Sequence, residues 1–372
     1  MRFDTIIAGG RLIDPVQGRD ERADLAIRDG RVAAVAPDLS GAEAETRLDA
    51  SGCLVVPGLI DFHTHVTHRL DALSIDADAH AAAGGVTTWV DAGGAGAANF
   101  AAFRHYVIEP AQVRIVPFLN ISEPGLACLE VVHGVIEHLD VDSVWETVEA
   151  NRDLIRGIKV LSCAMRVGPN GLIPLRTALE AGAATGLPVM CHIGAPPPGL
   201  GDMLPLMRGG DIITHCYKGR KGCLVVAGER VRDEAWAARR RGVLFDVGHG
   251  AGSFSWHVAR VALEQGFAPD IISTDLHRTS LGSGAFSLPA VMSKFLHLGL
   301  PLVEVIRLVT AAPAQALGLQ DSIGTLRLGV EADVTLLRLE VGRFPMPDTE
   351  GATEVLVQRL TAVRALRRGV VL

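Results

Sequence analysis

The 372-residue sequence lacks long apolar runs and paired cysteines and has little lysine. No stretch approaches the ~18 uninterrupted apolar residues that a membrane-spanning helix needs, so no membrane segment is expected. The beginning, Met1-Arg2-Phe3-Asp4, lacks the apolar core of a secretory leader, which points to a cytoplasmic protein. Six cysteines occur: Cys53, Cys128, Cys163, Cys191, Cys216 and Cys223. They form no CxxC pair and no regular framework, so they read as reduced, mostly buried thiols. A net charge of −7, with both signs dispersed, argues against nucleic acid as a partner. The run Arg239-Arg240-Arg241 reads as a solvated helix end, its cations near the negative pole. Gly93, Gly94 and Gly96 miss the spacing of a phosphate-binding loop and read as a strand-end loop. The lysines are Lys159, Lys218, Lys221 and Lys294, so a lysine inside an apolar strand stands out.

Two kinds of segment are present. Before Pro57 the pattern is short strands and turns. Thr5-Ile6-Ile7-Ala8 and Arg11-Leu12-Ile13-Asp14 are two of them. Asp24-Leu25-Ala26-Ile27 and Arg31-Val32-Ala33-Ala34-Val35 flank Asp29-Gly30, a hairpin signal. Arg47-Leu48-Asp49-Ala50 is a third piece. The tail returns to β character at 325–329 and 332–337, around a turn, and again at 354–357 and 361–363. Each end alone has too few strands for a stable core, so the two are expected to pair into one small β-sandwich domain, residues 1–53 with 320–372.

Between them, residues 54–319 alternate short apolar strands with helical stretches such as 141–154 and 175–184. Eight strands are expected, at 54–62, 87–91, 114–120, 157–161, 188–192, 211–215, 243–247 and 271–275. Strand–helix alternation implies parallel βαβ units, and eight of them suit an α/β fold of the (β/α)8 type. An open doubly wound sheet is the alternative, but no GxGxxG follows the first strand.

Active sites of such barrels lie at the C-terminal ends of the strands. The first strand runs into Asp61-Phe62-His63-Thr64-His65, and residues two apart in an extended chain face one side. His192, His215 and Asp275 end the fifth, sixth and eighth strands. Any one of these alone also fits a buried core histidine or an innocent pair. Four imidazoles and a carboxylate at strand ends together fit a borderline metal such as Zn²⁺. Lys159, in Gly157-Ile158-Lys159-Val160-Leu161, would be buried. Unpaired burial drives an ammonium toward the neutral amine, which can capture CO₂ as a metal-bridging carbamate. An internal salt bridge is the alternative for Lys159.

At this point the sequence resembles the amidohydrolase superfamily over nearly its whole length. Val56-Pro57-Gly58-Leu59-Ile60-Asp61-Phe62-His63-Thr64-His65 is similar to its first-strand signature. Gly84-Gly85-Val86-Thr87-Thr88 resembles its second-strand entry. Thr310-Ala311-Ala312-Pro313-Ala314 and Gly329-Val330-Glu331-Ala332-Asp333-Val334 resemble its exit from the barrel. The resemblance implies two divalent metal ions, most simply zinc. His63, His65 and Asp275 would hold one, His192 and His215 the other, and a carboxylated Lys159 would bridge them.

Within the superfamily the chain looks most like the dihydroorotase-related deacetylases. Thr214-His215-Cys216-Tyr217, Phe245-Asp246-Val247-Gly248-His249-Gly250 and Ser273-Thr274-Asp275-Leu276-His277 carry that likeness. It implies hydrolysis of an amide or ester of a small acylated acid by a metal-bridging hydroxide, with Asp275 as the catalytic proton carrier. Ring opening of a cyclic amide or lactone is the second enzyme reading. A catalytically silent homologue would normally lack ligands, and none is missing here. Tyr217 and His249 are candidates to stabilise the oxyanion, and Cys163 to line the pocket. Leu161 departs from the family pattern, which has Arg there. Arg69, Arg166, Lys218 and Arg278 are the substitute anchors for a substrate carboxylate. Cys191 and Cys216 should pack away from the site, His68, His257 and His277 should lie on its rim or the surface, and Asp61 has either a supporting or a turn role. The partner expected is a small molecule, and a homo-oligomer is open.

Overall fold

The computed structural model describes residues 2–219, 225–281 and 287–372. Lys221 and Cys223 lie outside the described residues. Seven parallel strands follow one another in a single sheet: Leu59–Thr64, Val86–Gly96, Arg114–Asn120, Gly157–Ser162, Val189–Ile193, Ile212–Thr214 and Leu244–Asp246. The eighth position is filled by residues 271–276, which make only two bridges. Ile271 pairs with Asp246 and Leu276 with Thr64, and together they close the ring. The expected eighth strand is therefore not a regular strand. Its backbone groups bond elsewhere: Thr274 N–H donates to the Asp61 carboxylate, while the Ser273 and Thr274 carbonyls accept from His249 and Gly250. The architecture is a (β/α)8 barrel.

Ile60, Phe62, Val90, Val116, Phe118, Met190, Ile212 and Ile271 come from nearly every strand and form a buried cluster of their own. Phe62 and Phe118 meet edge to face at 5.8 Å. Alternate residues such as Ile158 and Val160 join the larger cluster that contains the helices. That division is what a pleated, closed sheet requires: one side chain set plugs the barrel, the next packs outward. Among the covering helices, Val141–Ala150 starts at Asp140, whose side chain caps Asp142 N–H, and ends four residues short of the expected stretch. Ile173–Thr185 stops at Gly186, which takes the left-handed conformation that favours glycine.

The terminal segments form two sheets. One contains Arg2–Ala8, Asp24–Arg28, Arg31–Ala36 and Glu43–Asp49. The other contains Arg11–Asp14, Arg19–Arg22, Leu54–Pro57, Val334–Pro347, Thr353–Arg367 and Val370–Val371. Ile7, Leu25 and Ile27 from the first meet Leu12, Val55, Val334, Leu336 and Leu366 from the second in one buried cluster, a β-sandwich. The Asp29-Gly30 hairpin turn forms, with φ of 52° and 69°.

Four more expected strands are corrected. The run 54–62 is two strands. Leu54–Pro57 pairs with the strand from Val334, and Leu59–Thr64 enters the barrel. They part at Gly58, where a Cβ would stand 2.3 Å from Thr87 Oγ1 and 2.8 Å from Asp333 Cβ. Residues 325–329 are a loop, because the Asp14 carboxylate accepts from Thr325 Oγ1 and Leu326 N–H in place of a ladder. The pieces 354–357 and 361–363 belong to one strand, Thr353–Arg367. With Val334–Pro347 it makes a long hairpin that reaches back to the barrel, where Trp256 Nε1 donates to the Met346 carbonyl. Arg239 is not simply solvated either. Its guanidinium lies 3.8 Å from the Phe267 ring centre and pairs with Asp270. Among the described residues, no helix is long and apolar enough to cross a membrane. Cys53, Cys163, Cys191 and Cys216 are buried and Cys128 is exposed.

Candidate metal centre

The six expected side chains converge at one end of the barrel. His63 Nε2 and His65 Nε2 lie 3.4 and 3.2 Å from Asp275 Oδ1. One donor atom from each of these three residues falls within 4.8 Å of the others. Beside them, His215 Nε2 is 2.7 Å from His192 Nδ1, and the His63 and His215 rings are 5.1 Å apart. Lys159 Nζ sits 3.2 Å from His63 Nε2 and 3.3 Å from Met190 Sδ. Its fully buried stem is pressed by Gly93, whose φ of +81° admits the close approach. A Cβ there would stand 2.5 Å from Lys159 Cβ and Cγ.

Two of the expected ligand positions are turns rather than strand residues. His215 and Asp275 take φ of 75° and 50°, a conformation unfavourable for residues other than glycine. Both follow a strand or bridge, and the left-handed step swings their side chains over the barrel mouth.

Long-range hydrogen bonds fix which imidazole nitrogen is free. Thr214 Oγ1 donates to Asp246 Oδ2 at 2.6 Å, so the same oxygen accepts from His63 Nδ1 at 2.7 Å. The proton of His63 is thereby held on Nδ1, and the Nε2 lone pair faces Lys159 and Asp275. Ser273 Oγ holds the other oxygen of Asp246 at 2.6 Å. His215 Nδ1 donates to the Gly248 carbonyl at 2.6 Å, which frees Nε2. Asp61 supports Asp275 from behind, accepting from Thr274 N–H at 2.9 Å and Oγ1 at 2.6 Å.

The electrostatics agree with a cation site. Burial drives His63, His192 and His215 well below the ordinary imidazole value, so they stay neutral. Burial alone would raise Asp275, but His63, His65 and the neighbouring imidazoles hold it well below the usual carboxylate range. Burial lowers Lys159 to about 8 and raises Asp61 to about 7 and Asp246 to about 6. Neutral imidazoles, a firm carboxylate and a weakened amine are the donor set a borderline divalent ion requires, and these residues fit one.

The other expected site residues divide. Cys163 is brought to the site: a Cβ on Gly194 would stand 2.5 Å from Cys163 Cβ and 3.5 Å from His192 Nε2. Burial raises its thiol above the usual value. Tyr217 is not brought there. Its hydroxyl donates to the Phe267 carbonyl at 2.7 Å inside the core, which corrects its expected place at the oxyanion. His249 is likewise turned away, its Nε2 on Lys294 Nζ at 2.7 Å. Arg278 is exposed and bonded to the Ala72 carbonyl. Lys218 bridges the Gly252 carbonyl and Ser253, and Arg166 bonds the Leu129 carbonyl. Arg69 is exposed beside His68. Leu161 packs with Leu126 and Val132 in a small apolar cluster. Cys191 and Cys216 are core residues, as expected. His277 approaches the site, with Nδ1 3.7 Å from Asp275 Oδ1, while His257 is exposed. Sequence reasoning missed Thr214, Asp246 and Ser273. Their polarity next to ligand positions was the available signal.

Residues 256–365 match the amidohydrolase family model. A protein of Brucella anthropi named a deacetylase is 35% identical over 90% of this chain and 84% of its own length. One of Enterococcus faecalis, also named a deacetylase, is 32% identical over 99% of both. Among solved structures, one titled as a dihydroorotase superposes with a TM-score of 0.92 at 32% identity, covering 99% of this chain and 97% of that one. Another, titled as an adenine deaminase, also gives 0.92, at 30% identity over 100% and 99%. The chain belongs to the amidohydrolase family, and it is a hydrolase of that family.

Proposed function

We propose that the chain is a metal-dependent deacetylase, cleaving the amide or ester of a small acylated acid in the cytoplasm. The observation that carries this reading is the closure of His63, His65 and Asp275 to within 4.8 Å, with His192, His215 and Lys159 beside them. The full-length likeness to two proteins named deacetylases supports the acyl group. The barrel within residues 54–319 is taken as the catalytic unit and the terminal sheets, which take Leu54–Pro57, as its support.

His63, His65 and Asp275 would hold one divalent ion, zinc by ligand type, and His192 and His215 a second. Lys159 would bridge them as a carbamate, formed when its neutral Nζ adds to CO₂ and releases a proton. The ions would lower the pKa of water and polarise the substrate carbonyl. The protein's own part is positional and protolytic. Asp246 and Thr214 keep the proton of His63 on Nδ1, and Gly248 does the same for His215. Asp275, held as a carboxylate, takes the proton of the attacking water and returns it to the leaving group. Cys163 lines the acyl side next to His192.

Metal analysis of the purified protein tests the first half of the reading. About two transition-metal ions per chain support it; a metal-free, unmodified-lysine protein with no activity on addition of Zn²⁺ sinks it. A panel of N-acetyl amino acids, O-acetyl hydroxy acids and cyclic imides tests the second half. Turnover confined to ring substrates would favour the ring-opening alternative, which the likeness to the structure titled as a dihydroorotase supports.

A further inference from the structure

We propose that Lys294 is a positioning residue of the metal centre, acting through His249 on the turn that holds His215 and Asp275. Lys294 lies on the helix Leu288–His297, outside the barrel, yet it is fully buried. Its Nζ donates to His249 Nε2 at 2.7 Å and to the Pro347 carbonyl at 2.5 Å. It also stands 4.8 Å from the ring centre of Phe254 and 5.1 Å from that of Trp256. Hiding an ammonium or amine here is costly compared with a leucine or methionine, so packing alone does not explain it.

Accepting at Nε2 leaves the proton of His249 on Nδ1, which donates to the Gly250 carbonyl at 2.9 Å. The imidazole stacks on Phe254 at 4.8 Å with 12° between the planes. The backbone is pinned as well: His249 N–H donates to the Ser273 carbonyl and Gly250 N–H to that of Thr274. His249 is thus held on ring and backbone, and both of its neighbours touch expected ligands. The Gly248 carbonyl accepts a hydrogen bond from His215 Nδ1. Gly250 abuts Asp275 so closely that a Cβ would stand 2.4 Å from Oδ2. A shift of a few tenths of an ångström in His249 moves both contacts.

The second partner of Lys294, Pro347, ends one strand of the long terminal hairpin. The turn beyond it is tied to the same place. Asp348 accepts from Trp256 N–H, and Thr349 exchanges hydrogen bonds with Phe254. Lys294 therefore links the terminal sheet, the outer helix and the metal-site turn through one nitrogen.

This inference rests on His215 and Asp275 being metal ligands. Its test is Lys294→Met in the holoenzyme. Zinc retention measured against a chelator should fall by roughly 10–100-fold, with kcat reduced and KM little changed. A purely structural role would lower thermal stability and leave both zinc affinities in place. If Lys294→Met does not fold, His249→Gln decides. It keeps an acceptor for Lys294 and loses the ring Nδ1 donor to the Gly250 carbonyl, and it should show the same zinc loss. A folded variant with unchanged zinc affinity and kcat overturns the proposal. If the wild type binds no second ion, the two-ion reading fails separately. Nitrogen-15 NMR of the ion-free chain then still decides positioning: the His215 ring N–H must shift in Lys294→Met, and an unshifted signal overturns it.

Discussion

Lys159 Nζ lies 3.2 Å from His63 Nε2, two bases 96 residues apart brought into contact in a buried site. Both cannot carry a positive charge there. Burial already lowers Lys159 to about 8, and His63, also buried and beside Lys159, is held well below its ordinary value. The hydrogen-bond neighbours of Nζ are an imidazole and the Met190 thioether, not carboxylates. That arrangement disfavours a structural salt bridge and favours a reactive amine.

Replacing Lys159 by Ala removes the expected bridge between two cations. Metal content should fall below two ions per chain, and kcat/KM should drop on the order of 100-fold or more, since even supporting residues around a metal typically cost 10–100-fold. Added formate or propionate should recover part of the rate by standing in for the carbamate. Unchanged metal content and rate would remove Lys159 from the centre. Elemental analysis and a rate assay on the same preparation check both.

The relay from Asp246 through Thr214 to His63 makes a second prediction. Thr214→Val keeps the side chain's shape and removes the hydroxyl that accepts from Nδ1 and donates to Asp246. His63 then loses the restraint on its tautomer, and Asp246 is left short of one donor. Zinc affinity or activity should fall about 10–100-fold. Stability should fall by about 1–3 kcal/mol for the buried carboxylate. A competition titration with a chelator reads the first effect and urea unfolding the second. Loss of stability with undiminished zinc affinity would make the relay scaffolding only.

What was legible in the sequence follows from what is local. His63, His65, His192, His215 and Asp275 stood at expected strand ends, where residue type and strand position sufficed to find them, whereas Lys159, inside its strand, stayed open between a salt bridge and a carbamate until the ligand order and the family resemblance were added. The strand–helix alternation gave the barrel for the same reason. What depended on partners far along the chain was not legible. Leu54–Phe62 looked like one apolar run, and only pairing with the strand from Val334 divides it at Gly58. The segment around Asp275 looked like a strand, but its backbone donors and acceptors are claimed by Asp61, His249 and Gly250. Tyr217 and His249 neighbour ligand motifs, yet a side chain in a loop points where its tertiary partners take it, here Phe267 and Lys294. The left-handed turns at His215 and Asp275 have no glycine to announce them.

Gly93 supplies a test that separates space from strain. Gly93→Ala places a methyl 2.5 Å from Lys159 Cβ and Cγ at a φ of +81°, so Lys159 must move. Stability should fall by about 1–3 kcal/mol, and metal content and activity should fall with it. Gly18→Ala is the control. Its φ is +63° but nothing lies within 4 Å, so it carries the backbone strain alone. It should lose stability, about 1 kcal/mol, and keep full activity. Equal activity in the two variants would show that the close approach to Lys159 has no functional role.

Lys294 should reveal its burial through pH. Burial lowers it to about 7 in the folded chain, against an ordinary value of 10.5. Below pH 7 the lysine is protonated in both states, and the cost of burying the charge is constant. Between pH 7 and 10.5 the unfolded chain binds more protons than the folded one. Stability contributed at this position therefore rises with pH across that window, by at most ~1.4 kcal/mol per unit, and levels off above it. Lys294→Met has no such group. The variant should be closest to wild type, or more stable, at pH 6.5, where replacing a buried charge with an apolar side chain is often neutral or favourable. Wild type should gain on it steadily at pH 8 and 9.5. The hydrogen bonds to His249 and Pro347 survive deprotonation, because a neutral amine still has two protons to donate. Urea midpoints of both ion-free proteins at the three pH values read the difference directly. A gap that does not change between pH 6.5 and 9.5 would mean that Lys294 is not desolvated in solution.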